Sequence, residues 1–162
     1  MIPQYQKILY ATDLSVNAAH AFRHAIGIAR RDNARIWILH VLPEMESSVL
    51  NYVSTVMGEA RLAELETSHK EEVVVQIRAR LQDFAHKELA DNQKDLTLIK
   101  AIEVHHGPPV SVILEAADRI EADLIVVGSH GKGKLKYAFL GSVAEKVLRK
   151  ALVPVLVVPL RP

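Results

Sequence analysis

Gly128-Ser129-His130-Gly131, nine further residues and then Gly141-Ser142 form a glycine-punctuated stretch whose chemistry is anion binding. It begins where the apolar run Leu124-Ile125-Val126-Val127 stops. It ends where a helical pattern, Ser142-Val143-Ala144-Glu145-Lys146-Val147-Leu148, starts. Glycines let the backbone approach a phosphate closely, and the first N–H groups of a helix have no partner within it. Strand, glycine loop and helix N-terminus in that order predict a nucleotide site. A second polar strand end, Ala11-Thr12-Asp13-Leu14-Ser15, closes the first apolar run of the chain. It supplies a carboxylate and two hydroxyls.

The elements that must position these residues read as alternating strands and helices. Apolar runs at 7–11, 35–41, 96–104, 124–127 and 155–158 are continuous rather than alternating in several places, as in a parallel sheet covered on both faces. Between them, Ala18, Ala21, Phe22, Ala25, Ile28 and Ala29 trace one helical face, and Val74, Ile77, Leu81, Phe84 and Ala85 another. Val110, Ile113, Leu114 and Ala117 follow Pro108-Pro109, and proline suits a helix start. Val143, Val147, Leu148 and Ala151 make the last face. The pattern predicts an open α/β fold with right-handed crossovers and strand order 3-2-1-4-5. In such a sheet, ligands lie beyond the C-terminal ends of the strands where the order reverses, between strands 1 and 4. The two polar strand ends then face one crevice, although they lie more than one hundred residues apart in sequence.

Residues 43–68 exceed what a simple crossover needs and hold Leu50, Val53, Met57, Leu62 and Leu65 among acidic residues. They read as an extra or extended helix after a loop. With 162 residues, no internal repeat and no low-complexity linker, one domain is expected.

Composition removes several function classes. Hydrophobic residues are 49% and charged residues 24%, which fits a packed domain rather than a disordered chain. A net charge of +1, with one Trp, four Tyr and three Phe, gives no pull toward nucleic acid or anionic lipid. The absence of cysteine excludes disulfides, thiolate zinc sites and thiol nucleophiles. No apolar stretch approaches the roughly 20 residues of a membrane span, and no leader pattern precedes the strand at Lys7, so the cytoplasm is the expected compartment. There is no Gly-x-x-x-x-Gly-Lys-Ser/Thr loop, and no Gly-x-Gly-x-x-Gly follows the first strand.

With these residues in view, the chain resembles the universal stress protein family. Lys7-Ile8-Leu9-Tyr10-Ala11-Thr12-Asp13-Leu14-Ser15 is similar to that family's opening. Gly128-x2-Gly131-x9-Gly141-Ser142 matches the phosphate motif of its ATP-binding branch without a gap. Val153-Pro154-Val155-Leu156-Val157-Val158 resembles its last strand. The resemblance implies roles. Asp13, beyond Ala11 and Thr12 at the end of strand 1, would contact the adenosine or help hold a metal with the phosphates. Val41 would meet the adenine through its backbone. Gly128, His130 and Gly131 would line ribose and phosphates. Gly141, Ser142 and Val143 would offer N–H groups to the phosphates, and Ser142 also a hydroxyl. The sequence departs from the pattern at Ala11, where members often have proline, and in the lysines 132, 134 and 136.

Each feature also has a plainer reading. The glycine loop can be a turn before a helix. Asp13 can be a helix cap, although Ser15 can serve that purpose and leave Asp13 to a ligand. His130 can be a solvated loop residue, and the lysines a solvated run that attracts phosphate only weakly. His105-His106, with no Cys or evident carboxylate partner, and His20 and His24, four apart, are weak metal signals. The expected function is a cytoplasmic ATP-binding stress or regulatory protein, with magnesium neutralising the phosphates. A slow ATP hydrolase and an interaction module without nucleotide are the alternatives. Asp13 and His130 are the available groups for activating water, so efficient turnover is not expected. Val155–Val158, an apolar strand at the sheet edge, is expected to pair with its own copy in a homodimer.

Overall fold

In the computed structural model, residues 1–15, 18–44, 47–130 and 140–159 are described. The elements run β1 (Lys7–Ala11), α1 (Ala18–Asp32), β2 (Arg35–Leu42), α2 (Ser47–Met57), α3 (Glu59–Glu88), a 3-10 turn (Gln93–Leu98), β3 (Ile99–His106), α4 (Pro109–Arg119), β4 (Leu124–Gly128), α5 (Ser142–Lys150) and β5 (Val155–Val158). The five strands form one sheet in the order β3-β2-β1-β4-β5. Every neighbouring pair is parallel. The expected fold class and strand order are what the structure shows.

The continuous apolar runs have the expected cause. Ile8, Leu9 and Tyr10 of β1 are wholly buried, so both faces of this central strand are covered. Alternate residues serve opposite faces. Ile8, Tyr10, Ile36, Ile38 and Val126 pack with Phe22 of α1 and Leu81 of α3. Leu9, Leu39 and Ile125 pack with Ile113 of α4 and Val147 of α5. Tyr10, Phe22 and Phe84 stack through ring centroids 5.4 and 5.2 Å apart.

Strands β2, β3 and β4 run one or two residues past their expected ends, to Leu42, His106 and Gly128, and two larger differences stand out. The third strand starts at Ile99, not at 96, because residues Gln93–Leu98 wind into a 3-10 turn. The turn buries Asp95, whose carboxylate pairs with Arg30 of α1. Residues 43–68 contain two helices rather than one. α2 ends at Met57, and Gly58, at φ +84°, carries the chain into the 30-residue α3.

Candidate functional site

The strand ends at the order reversal enclose a crevice of about 470 Å³. Ala11, Thr12 and Asp13 line it from β1, and Gly128, Ser129 and His130 from β4. Gly141, Ser142 and Val143 close it from the start of α5, and Val41 bounds it from β2. Nine of the residues expected at a nucleotide site are thereby brought to one cavity. Gly131 and the lysines 132, 134 and 136 lie outside the described residues. The volume falls in the range of small-molecule sites, roughly 300–1,000 Å³.

The start of α5 presents a helix N-terminus to the crevice. Gly141 caps the helix and has no side chain to offer its first N–H groups. Its own N–H donates to the Ser129 carbonyl at 2.6 Å, and its carbonyl accepts from Glu145 at 2.9 Å. Ser129 also donates its N–H to the Val158 carbonyl at 2.8 Å. The glycine-capped helix is thus fixed against the ends of β4 and β5. Ser129 is buried, and its hydroxyl lies 3.0 Å from Nδ1 of His130.

The β1–α1 turn is the opposite wall. The Thr12 hydroxyl accepts the N–H of Leu14 at 3.1 Å, and Oδ1 of Asp13 accepts the N–H of Ser15 at 2.9 Å. One oxygen of Asp13 therefore serves its own turn, and the residue also lines the crevice. Leu14 has φ +59°, the left-handed region, which is a strained conformation for a branched residue and costs about 1–3 kcal/mol. Tyr10 supports the turn from below by donating its hydroxyl to the Ala18 carbonyl at 2.8 Å. Burial pushes its phenol well above the usual range, so it remains a neutral donor.

The apolar part of the crevice was not evident from sequence. Leu39 of β2 and Pro109 and Ile113 of α4 line it. Pro109 and Ile113 read as a helix start and a core face, with nothing polar to mark them as lining a cavity. Together they make a slot suited to a flat, weakly polar ring, beside a glycine-capped helix suited to an anion. Three of the four weak histidine signals have local partners: His105 lies 3.4 Å from the Glu103 carboxylate, and His20 and His24 meet edge to face with centroids 5.0 Å apart, whereas the buried Nε2 of His106 has no hydrogen-bond partner among the described residues. Among the described residues, no three His, Asp or Glu side chains cluster to hold a metal.

The family profile of universal stress proteins matches residues 4–159. The chain belongs to the universal stress protein family. Universal stress protein MJ0577 of Methanocaldococcus jannaschii is 33% identical over 98% of this chain and 97% of its own. The solved structure of MJ0577 superposes with a TM-score of 0.76 over 99% of both chains. Stress response protein NhaX of Bacillus subtilis is 29% identical, covering 94% of this chain and 96% of its own. A universal stress protein solved in complex with cAMP shares the fold at 24% identity and a TM-score of 0.58, covering 97% of this chain and 98% of its own. No described helix of this universal stress protein is long and apolar enough to cross a membrane.

Proposed function

We propose that this universal stress protein is a cytoplasmic regulatory protein that binds ATP in the crevice between β1 and β4. The observation that carries the reading is the convergence of Asp13 and the glycine-capped α5 on one cavity of about 470 Å³ with an apolar slot. The base lies against Leu39, Val41 and Ile113, and the phosphates lie on Gly128 and the N-terminus of α5. A helix terminus contributes only about 0.3–1 kcal/mol per favourable charge. A micromolar affinity requires roughly 8 kcal/mol. Burial of the base and several backbone donors supply the remainder.

Magnesium enters with the nucleotide. The crevice offers Asp13 as its one carboxylate among the described lining residues, and one of its oxygens is engaged with Ser15. That donor set fits a cation carried chiefly by phosphate oxygens, with Asp13 as a protein ligand. The same scarcity of carboxylates favours binding over turnover, since among the described lining residues Asp13 and His130 are the groups that could activate water. The half-buried β5 lies at the sheet edge beside β4 and pairs with its own copy to form a homodimer.

Heating the purified protein and identifying released nucleotide by chromatography tests the reading. Emptied protein is then titrated with ATP and magnesium, with AMP and cyclic AMP as competitors. Released ATP, or micromolar binding of it, is the expected result. Absence of both for all three nucleotides overturns it and leaves an interaction module with a structural glycine loop.

A further inference from the structure

The chain leaving β1 separates from β2 through a side chain. Thr12 continues the ladder by one bond, donating its N–H to the Leu39 carbonyl at 2.9 Å. In a parallel pair, the carbonyl of the same residue next accepts from a residue two further along the partner strand, here Val41. Instead, Nδ1 of His40 stands 2.7 Å from the Thr12 carbonyl oxygen. A carbonyl only accepts, so Nδ1 carries the proton and donates. His40 is 7% exposed, and its backbone pairs with Val104 of β3, so the ring projects from a strand fixed on both sides.

We propose that His40 is a positioning residue of the nucleotide crevice. By taking the Thr12 carbonyl it ends the β1–β2 ladder one bond early. The turn that follows carries Asp13 and the strained Leu14, and a fixed Thr12 holds both in place. The Val41 N–H, which a continued ladder would occupy, stays turned toward the cavity that Val41 lines. The apolar run Arg35–Leu42 thus contains one polar side chain that acts on the site without lining it. This role rests on the nucleotide reading above, because the ligand is what the held turn and the Val41 main chain receive.

Two substitutions separate the donor from the bulk of the ring. His40→Leu fills the space and donates nothing. His40→Asn places an amide N–H near the position of Nδ1. Thermal unfolding, affinity for ATP with magnesium, and the backbone amide resonances of residues 13–15 and 41 are read for each. The expected result is a folded His40→Leu protein with about tenfold weaker ATP binding, the scale of one ordering hydrogen bond. In His40→Asn the affinity returns to within about threefold of the parent. Unchanged affinity in His40→Leu, or equal loss in both variants, overturns the proposal. If His40→Leu does not fold, the ¹⁵N shifts of the imidazole in the unaltered protein decide, a proton on Nδ1 supporting the role and a neutral ring protonated on Nε2 overturning it. If the unaltered protein binds no adenine nucleotide, the reading of the crevice falls. The hold of His40 on the turn is still tested by the amides, displaced in His40→Leu and restored in His40→Asn if it is real, unmoved if it is not.

Discussion

The two ends of the central strands are finished in different ways. At the N-terminal end of β1 the backbone is closed by side chains. The Asp123 carboxylate accepts the N–H groups of Gln6 at 2.8 Å and Lys7 at 3.1 Å, and its own N–H donates to the Lys7 carbonyl at 2.9 Å. Asp32 accepts the N–H of Tyr5 at 3.0 Å, and the Lys7 ammonium reaches Glu121 at 3.0 Å. At the C-terminal end, Gly141 offers α5 no capping side chain, and the β1–α1 turn holds Leu14 in a left-handed conformation. Backbone donors need partners wherever they lie. One end finds them in side chains; at the other, the Leu14 and Ser15 N–H groups are also paired, with Thr12 and Asp13, while the first N–H groups of α5 have no capping side chain. On the function proposed above, this difference gives stability to the first end and binding to the second.

Two glycines at the binding end give the largest expected contrast. Gly107, where β3 turns into α4, has φ +138°, and a Cβ there would stand 2.9 Å from Cγ2 of Val112. Gly107→Ala therefore strains the turn and lowers stability by about 1–3 kcal/mol in urea denaturation. Gly128 has an ordinary φ, and its Cβ would lie 3.7 Å from the His130 carbonyl oxygen, a normal contact. Gly128→Ala leaves stability within about 1 kcal/mol of the parent, while calorimetry shows weaker ATP binding because the added methyl crowds the phosphate loop. Equal destabilisation by both would show that Gly128 is structural as well.

Asp123→Ala probes the other end. Two backbone N–H groups lose their acceptor at a partly exposed position, which costs about 1–2 kcal/mol. ATP affinity stays as in the parent. A fall in affinity would mean that the two ends of the strands are not independent, and the comparison would fail.

How much of this was visible in the sequence depends on whether a residue's role is local. Continuous apolar runs gave away buried parallel strands, and the reversal of strand order then placed Asp13 and Gly128 on one crevice. The start of β3 was not visible, because Leu96 and Leu98 are apolar whether they lie in a strand or in a turn. What decides is the pairing of Asp95 with Arg30, 65 residues away. His40 was hidden for a related reason: a polar residue within an apolar strand reads as core until its partner, Thr12 on the neighbouring strand, is known. Apolar content also misleads about burial. α1 buries Ala18, Ala21, Phe22, Ala25, Ile26 and Ala29, whereas α2, which has no charged residue, buries none and leaves Tyr52 73% exposed. The spacing of apolar residues predicts a helix in both, but only the sheet's finite area determines which helix reaches the core.

The smallest expected effect lies in the pH dependence of the closed end. The Tyr5 N–H donating to Asp32 holds its carboxyl below the usual range, and the Arg31 guanidinium adds to this, while partial desolvation opposes both. A carboxyl whose folded value is depressed stabilises the fold fully above its unfolded value and loses that contribution as pH falls through the folded one. The Asp32 contribution is therefore complete at neutral pH and disappears as the solution is acidified below the ordinary carboxylate range. Asp32→Asn keeps an oxygen that can accept the Tyr5 N–H but removes the titration. Urea midpoints for parent and variant should differ at pH 7 and draw together as the pH falls through and below the ordinary carboxylate range, with ATP affinity at pH 7 equal in the two. A constant difference across that range would show that the Asp32 charge is not linked to folding. The closed end would then owe its stability to the neutral hydrogen bonds and to Asp123, and the contrast with the binding end would rest on hydrogen-bond geometry alone.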